Sequence, residues 1–161
     1  MADSFKIDQA SLKRKLKISI EDKGNLKKIK ASSLKELSNF LVSEMKRYIS
    51  QGISPITGKR FQAYKDPKKY PGKQKPQRPV NLKLTGQFLK SLVGKIKAGK
   101  SPEISISFNN SLAEKKELGH REGANSQRKR PIIPIGEEGF ADAILVKLRE
   151  VLRKIIDKDL K

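Results

Sequence analysis

The sequence predicts an α+β fold: a small antiparallel sheet, two long amphipathic helices and a long basic, proline-rich loop. Three observations carry that expectation. Apolar residues recur at helical spacing over about 32–51 and again over about 138–159. Leu92, Gly94, Ile96 and Ala98 alternate with polar residues, as do Ile104, Ile106 and Phe108, and Gly99-Lys100-Ser101-Pro102 between them reads as a turn, so this is a hairpin with one apolar face. Five of the eight prolines (Pro55, Pro67, Pro71, Pro76 and Pro79) fall within residues 52–81. At 161 residues the chain suits a single domain, 1–161.

The elements follow in order. Leu16, Ile18 and Ile20 alternate with polar residues and a turn follows at Asp22-Lys23-Gly24-Asn25, predicting a strand near 14–21. Ser33 and Glu36 have the spacing of a capping box, and Leu34, Leu37, Phe40, Leu41, Met45, Tyr48 and Ile49 then mark one helix face. Gly52 supplies the stop. In 52–81 the lysines repel one another and proline removes backbone donors, so an extended basic arm without a core of its own is expected. Thr85 is placed to cap a short helix carrying Phe88, Leu89 and Leu92. After the hairpin come one or two helical turns at 111–118, a basic loop from Arg121 to Arg130, and extended Pro131-Ile132-Ile133-Pro134-Ile135. The closing helix presents Phe140, Ile144, Leu148, Val151, Leu152 and Ile155, with Glu137 and Glu138 at its positive end.

Charge dominates the composition. Lys and Arg number 37 against 17 acids, a net charge of +20, which attracts polyanions such as DNA, RNA, acidic lipid or an acidic protein surface. Apolar residues make up 35% and charged residues 34%, which leaves less core material than an average domain has and points to packing against partners. No cysteine is present, so disulfides, thiolate metal sites and thiol nucleophiles are absent. The start, Met1-Ala2-Asp3-Ser4, lacks a secretory pattern, and no apolar run approaches the ~20 residues of a bilayer span. A soluble, intracellularly made protein with no membrane partner is the expectation.

Nothing in the sequence is arranged for catalysis, and no enzyme, metal or cofactor is expected. Gly52 to Lys59 imitates a phosphate-binding P-loop, but one residue too many separates the glycines, Arg60 replaces the magnesium-holding hydroxyl, and the stretch follows a helix instead of a strand. His120 is the one histidine, with no triad spacing around it. The scattered carboxylates lie among lysines, which lower their pKa and make them poor general acids. Tyr64 and Tyr70 lie in the basic loop, but the interleaved aromatics of a single-strand binder are missing, so contact with nucleic acid would be to phosphates.

The order of four segments resembles the virion-morphogenesis, or tail-completion, family of tailed bacteriophages and the related neck proteins. Ser54-Pro55-Ile56-Thr57-Gly58-Lys59-Arg60-Phe61 is similar to its Pro-x-Thr-Gly-Lys-x-Phe loop. The run from Leu82 to Leu92 is similar to its Leu-Thr-Gly-x-Leu-x-Ser-Leu helix start. His120-Arg121-Glu122-Gly123 resembles its His-x-x-Gly signature, and Arg130-Pro131-Ile132-Ile133 its Arg-Pro-Phe-Leu segment, with Ile132 where the family carries an aromatic. The resemblance spans 30–160. It implies a structural virion protein, a neck or tail-completion subunit that forms a homo-oligomeric ring of six or twelve at the head–tail interface. It also implies other neck and tail proteins as partners, location in the virion, and host cytoplasm during assembly.

On that expectation Lys59, Arg60, Lys68, Lys69, Lys73, Lys75 and Arg78 are interface or lumen residues, with Arg121, Arg128, Lys129 and Arg130 as a second set. They would meet genomic DNA phosphates in the lumen or an acidic ring above or below. Thr85, Gly86, Gly123 and Pro131 read as positions that shape the backbone. The rival expectation is a non-sequence-specific nucleic-acid-binding accessory protein, and a small nuclease is a distant third.

Overall fold

The computed structural model describes residues 5–7, 29–62, 86–97, 103–123, 129–135 and 138–159. Helix α1 (Ala31–Ser50) opens the main body. It was expected to start with a capping box, but Ser33 is buried inside the first turn and makes no cap bond. The cap comes from far along the chain. The Lys30 amide donates to Asp159 Oδ2 at 3.0 Å, the role expected of Glu36, while Glu36 faces Lys158 at 3.9 Å in solvent. The end of α1 follows the sequence signal. Gly52 turns left-handed at φ 73°, its N–H bonds Ile49 O, and the Ile53 N–H bonds Tyr48 O, which is a Schellman motif.

The segment from 52 corrects the expectation of a structureless arm in its first part. Residues 52–62 close into a tight turn: Ile53 bridges Arg60, Ser54 N–H donates to Lys59 O, and Phe61 N–H donates to Gly52 O. The Ser54 hydroxyl accepts from the Ile56 and Thr57 amides and stiffens the turn. Neighbouring backbone supplies the cohesion that composition alone understates. The remainder of 52–81, like the strand placed at 14–21, lies outside the described residues.

Strands β1 (Phe5–Ile7), β2 (Leu92–Lys97) and β3 (Glu103–Phe108) form an antiparallel sheet in the order β1-β3-β2. The hairpin register sets Leu92 opposite Phe108, Gly94 opposite Ile106 and Ile96 opposite Ile104, so the predicted apolar face is the real one. β1 was not anticipated. A three-residue strand has no period to read, and only pairing with β3 reveals it.

Before β2 stands the single turn α2 (Gln87–Lys90), entered through left-handed Gly86, with Leu92 already in the strand. The cap expected of Thr85 lies outside the described residues. Helix α3 (Ser111–Glu122) runs longer than 111–118. Asn110 Oδ1 accepts the Ala113 amide at 2.8 Å at its start and left-handed Gly123 ends it, so Arg121 is helical instead of opening the loop. Leu112 and Leu118 are exposed on α3, and this weak amphipathicity hid its length.

Helix α4 (Asp142–Asp159) starts later than expected. Residues 138–141 are held out of the helix because Ala141 N–H donates to Pro55 O at 2.8 Å. Phe140 is therefore buried ahead of the helix, and the acid in the first turn is Asp142.

One apolar cluster unites these parts. Leu34, Leu37, Leu41, Met45 and Ile49 of α1 meet Leu92, Ile104, Ile106 and Phe108 of the sheet and Ile144, Leu148, Leu152 and Ile155 of α4. Each fully buried side chain of this kind contributes about 1.5–3 kcal/mol relative to exposure. Helices α1 and α4 run antiparallel, as the Lys30–Asp159 and Glu44–Lys147 contacts at opposite ends require. None of the described helices is long and apolar enough to cross a membrane.

Candidate assembly and polyanion interface

The segments that carry the family resemblance meet at one junction. The Phe88 ring stacks on Phe108 with centroids 5.1 Å apart and lies 5.7 Å from the tilted His120 ring. His120 O accepts the Arg130 N–H at 2.7 Å, and the Arg130 guanidinium donates Nε and Nη2 to Gln62 O at 3.1 and 3.0 Å. Pro55 O in turn holds the backbone just before α4. Residues distant in sequence thus form a chain of direct contacts from the 52–62 turn through 130 and 120 to 88.

Behind this junction Glu117 clamps the extended segment. Its side chain is buried, and Oε1 accepts the amides of Ile132 at 3.0 Å and Ile133 at 3.1 Å. Prolines at 131 and 134 keep this backbone out of helix and sheet ladders, so its amides depend on a side-chain acceptor. Arg121 lies alongside, 3.5 Å from Glu117 Oε1, bonded to the Ile133 carbonyl and 3.1 Å from Glu138 Oε2. Glu138 also accepts the Ile135 amide, which explains why that acid serves the loop instead of a helix end.

Two residues expected at the interface therefore lie elsewhere. Arg130 is 3% exposed, and the Arg121 side chain is 14% exposed and held by the Glu117, Ile133 and Glu138 partners. Their guanidiniums engage loop carbonyls, the buried Glu117 and the exposed Glu138, for which a planar fork of donors is well suited. Neither presents its charge outward. Lys59 and Arg60 are exposed at the tip of the 52–62 turn, and Lys129 is exposed beside Arg130. Since Arg130 holds Gln62, the turn with Lys59 and Arg60 is fastened to the extended segment that carries Lys129. Lys68, Lys69, Lys73, Lys75, Arg78 and Arg128 lie outside the described residues.

His120 is largely buried. Desolvation first, then the charges of Arg130 and Lys116, push its pKa down to about 4, so the ring is neutral at pH 7. Its Nδ1 has no partner among the described residues. The same described set contains no group of three or more His, Cys, Asp or Glu side chains that could hold a metal. Sequence reasoning missed Glu117 because one glutamate among the mixed charges of α3 carries no signal; its role exists only once 132 and 133 fold beside it. Compared with known proteins, the chain matches no family model, no curated protein and no solved structure.

Proposed function

We propose that this protein is a structural subunit of a tailed-bacteriophage particle, a neck or tail-completion component that works as a homo-oligomeric ring at the head–tail interface. What supports the reading is the junction. Phe88, His120 and Arg130, from three of the four segments, are in direct contact, and Arg130 also holds Gln62, the residue that follows the first segment. The exposed Lys59, Arg60 and Lys129 sit on the pieces fastened by that network and would face the lumen or a neighbouring acidic ring.

The experiment is the oligomeric state of the purified chain, by mass photometry and electron microscopy, together with its presence in phage particles. A closed ring of six or twelve is expected. A monomer at high concentration that is absent from particles overturns the reading. If such a monomer also binds duplex DNA with a steep salt dependence, it is an accessory nucleic-acid binder instead.

A further inference from the structure

Several partly buried charges elsewhere in this fold are answered within the chain. Glu44 accepts from Arg47 at 2.8 Å and Lys147 at 3.2 Å, Glu117 takes two amides and Arg121, and Arg130 takes a carbonyl. Lys46 differs. It is half-buried on the sheet side of α1, and burial lowers its pKa below the ordinary lysine value. Neither Lys46 nor the exposed Lys90 makes an ion pair or hydrogen bond among the described residues. Both line one groove of about 360 Å³ between α1 and the α2–β2 junction. Ser43 and Asn39 line it about one and two turns earlier on α1, and no carboxylate stands among the described lining residues.

We propose that this groove binds a phosphate group, with Lys46 and Lys90 as cations and Asn39 and Ser43 as hydrogen-bonding partners. A lysine ammonium offers three donors and no acceptor, a hydroxyl and an amide add more donors, and none of the described lining residues is a carboxylate that would compete for the cations. Val42, Leu92 and Val93 form apolar walls, which reduce screening and strengthen the attraction. The volume falls at the lower end of the ~300–1,000 Å³ of ligand clefts and admits a phosphate with part of what it is attached to. Gly94 helps to shape the floor: a Cβ there would lie 1.9 Å from Ser38 Oγ, so glycine permits the close approach of α1 to β2. Two sources share this chemistry, a nucleic-acid backbone and free phosphate. The inference does not depend on ring formation.

The test uses the full chain with isotope-labelled lysines, titrated with inorganic phosphate against chloride at matched ionic strength, and separately with a short DNA duplex. Phosphate is expected to move the side-chain signals of Lys46 and Lys90 and to raise the pKa of Lys46, while the exposed Lys115 and Lys116 stay still. Lys46→Gln combined with Lys90→Gln abolishes these shifts. In duplex binding it lowers the slope of log affinity against log salt by about 0.9, the value for one phosphate contact. A response to the duplex alone assigns the site to a nucleic-acid backbone, and a response to phosphate alone assigns it to a free anion. Equal responses of Lys46 and Lys115, or none from either titrant, overturn the proposal. Both substitutions are at the surface of folded elements, and circular dichroism of the double variant verifies that the fold is intact.

Discussion

Glu117→Ala removes the acceptor that holds the Ile132 and Ile133 amides, and its effect can be worked out from the contacts. Two buried N–H groups lose their partner, each worth about 1–3 kcal/mol when left unsatisfied. Arg121 keeps Glu138 and the Ile133 carbonyl, so its share of the loss is smaller than for a wholly stranded charge. The expected destabilisation is about 3–5 kcal/mol, a large part of the ~5–15 kcal/mol that holds a domain together. Glu117→Gln retains a carbonyl oxygen in place of Oε1 and should lose only about 1–2 kcal/mol. Urea unfolding reads both values, with a slope of about 1–3 kcal/mol per molar converting the larger loss into a midpoint shift of about 1–5 M. Hydrogen exchange at the Ile132 and Ile133 amides should accelerate in the alanine variant ahead of amides in α1. An alanine variant within half a kcal/mol of the parent, or a glutamine variant equally damaged, refutes the acceptor argument.

His120 is neutral in the fold with a pKa of about 4, whereas the unfolded ring titrates near 6.5. The unfolded chain therefore takes up a proton first, and stability falls as pH drops from 6.5 towards 4. Between pH 7 and 5 this amounts to on the order of 2 kcal/mol. Urea midpoints should show that loss in the parent and a flatter profile in His120→Gln. Asp159 has its pKa held below 3.8 by the Lys30 amide, then the Ser33 hydroxyl and the charges of Lys30 and Lys158, against opposing desolvation. Its contribution is present above the unfolded value and vanishes as pH falls through the lower folded one. Asp159→Asn should therefore be less stable at pH 7, with the gap closing as pH falls below the ordinary carboxylate range in the same assay. Gly94→Ala drives a Cβ towards Ser38 Oγ and should lose about 1–3 kcal/mol by overpacking. Adding Ser38→Ala removes the nearest atom and should recover part of it in a double-mutant cycle, so strict additivity contradicts the steric account.

How much was legible in the sequence differs from element to element. Helix α1, its Gly52 stop and the β2–β3 register could be read because each is written in local chemistry: a 3.6-residue period, a residue that accepts positive φ, a two-residue alternation. The start of α1 could not, because its acceptor, Asp159, stands 129 residues away. The extent of α3 was obscured by exposed Leu112 and Leu118, although Asn110 and Gly123 did mark its ends. At the candidate interface, Lys59, Arg60 and Lys129 were legible as charges and remain at the surface. Arg121 and Arg130 were equally legible as charges, yet they turned inward.

The sequence by itself determined the α+β class, the two amphipathic helices, the hairpin and the excess of positive charge. These follow from periodicity, turn residues and composition, which act over a few neighbours or over the chain as a sum. The tertiary structure alone decided which cations face solvent, which carboxylate holds the 131–135 segment, and that Lys46 and Lys90 share a groove. Such outcomes depend on pairing between residues far apart along the chain. Burial makes an unsatisfied polar group too costly to leave, so the folded surroundings choose its partner.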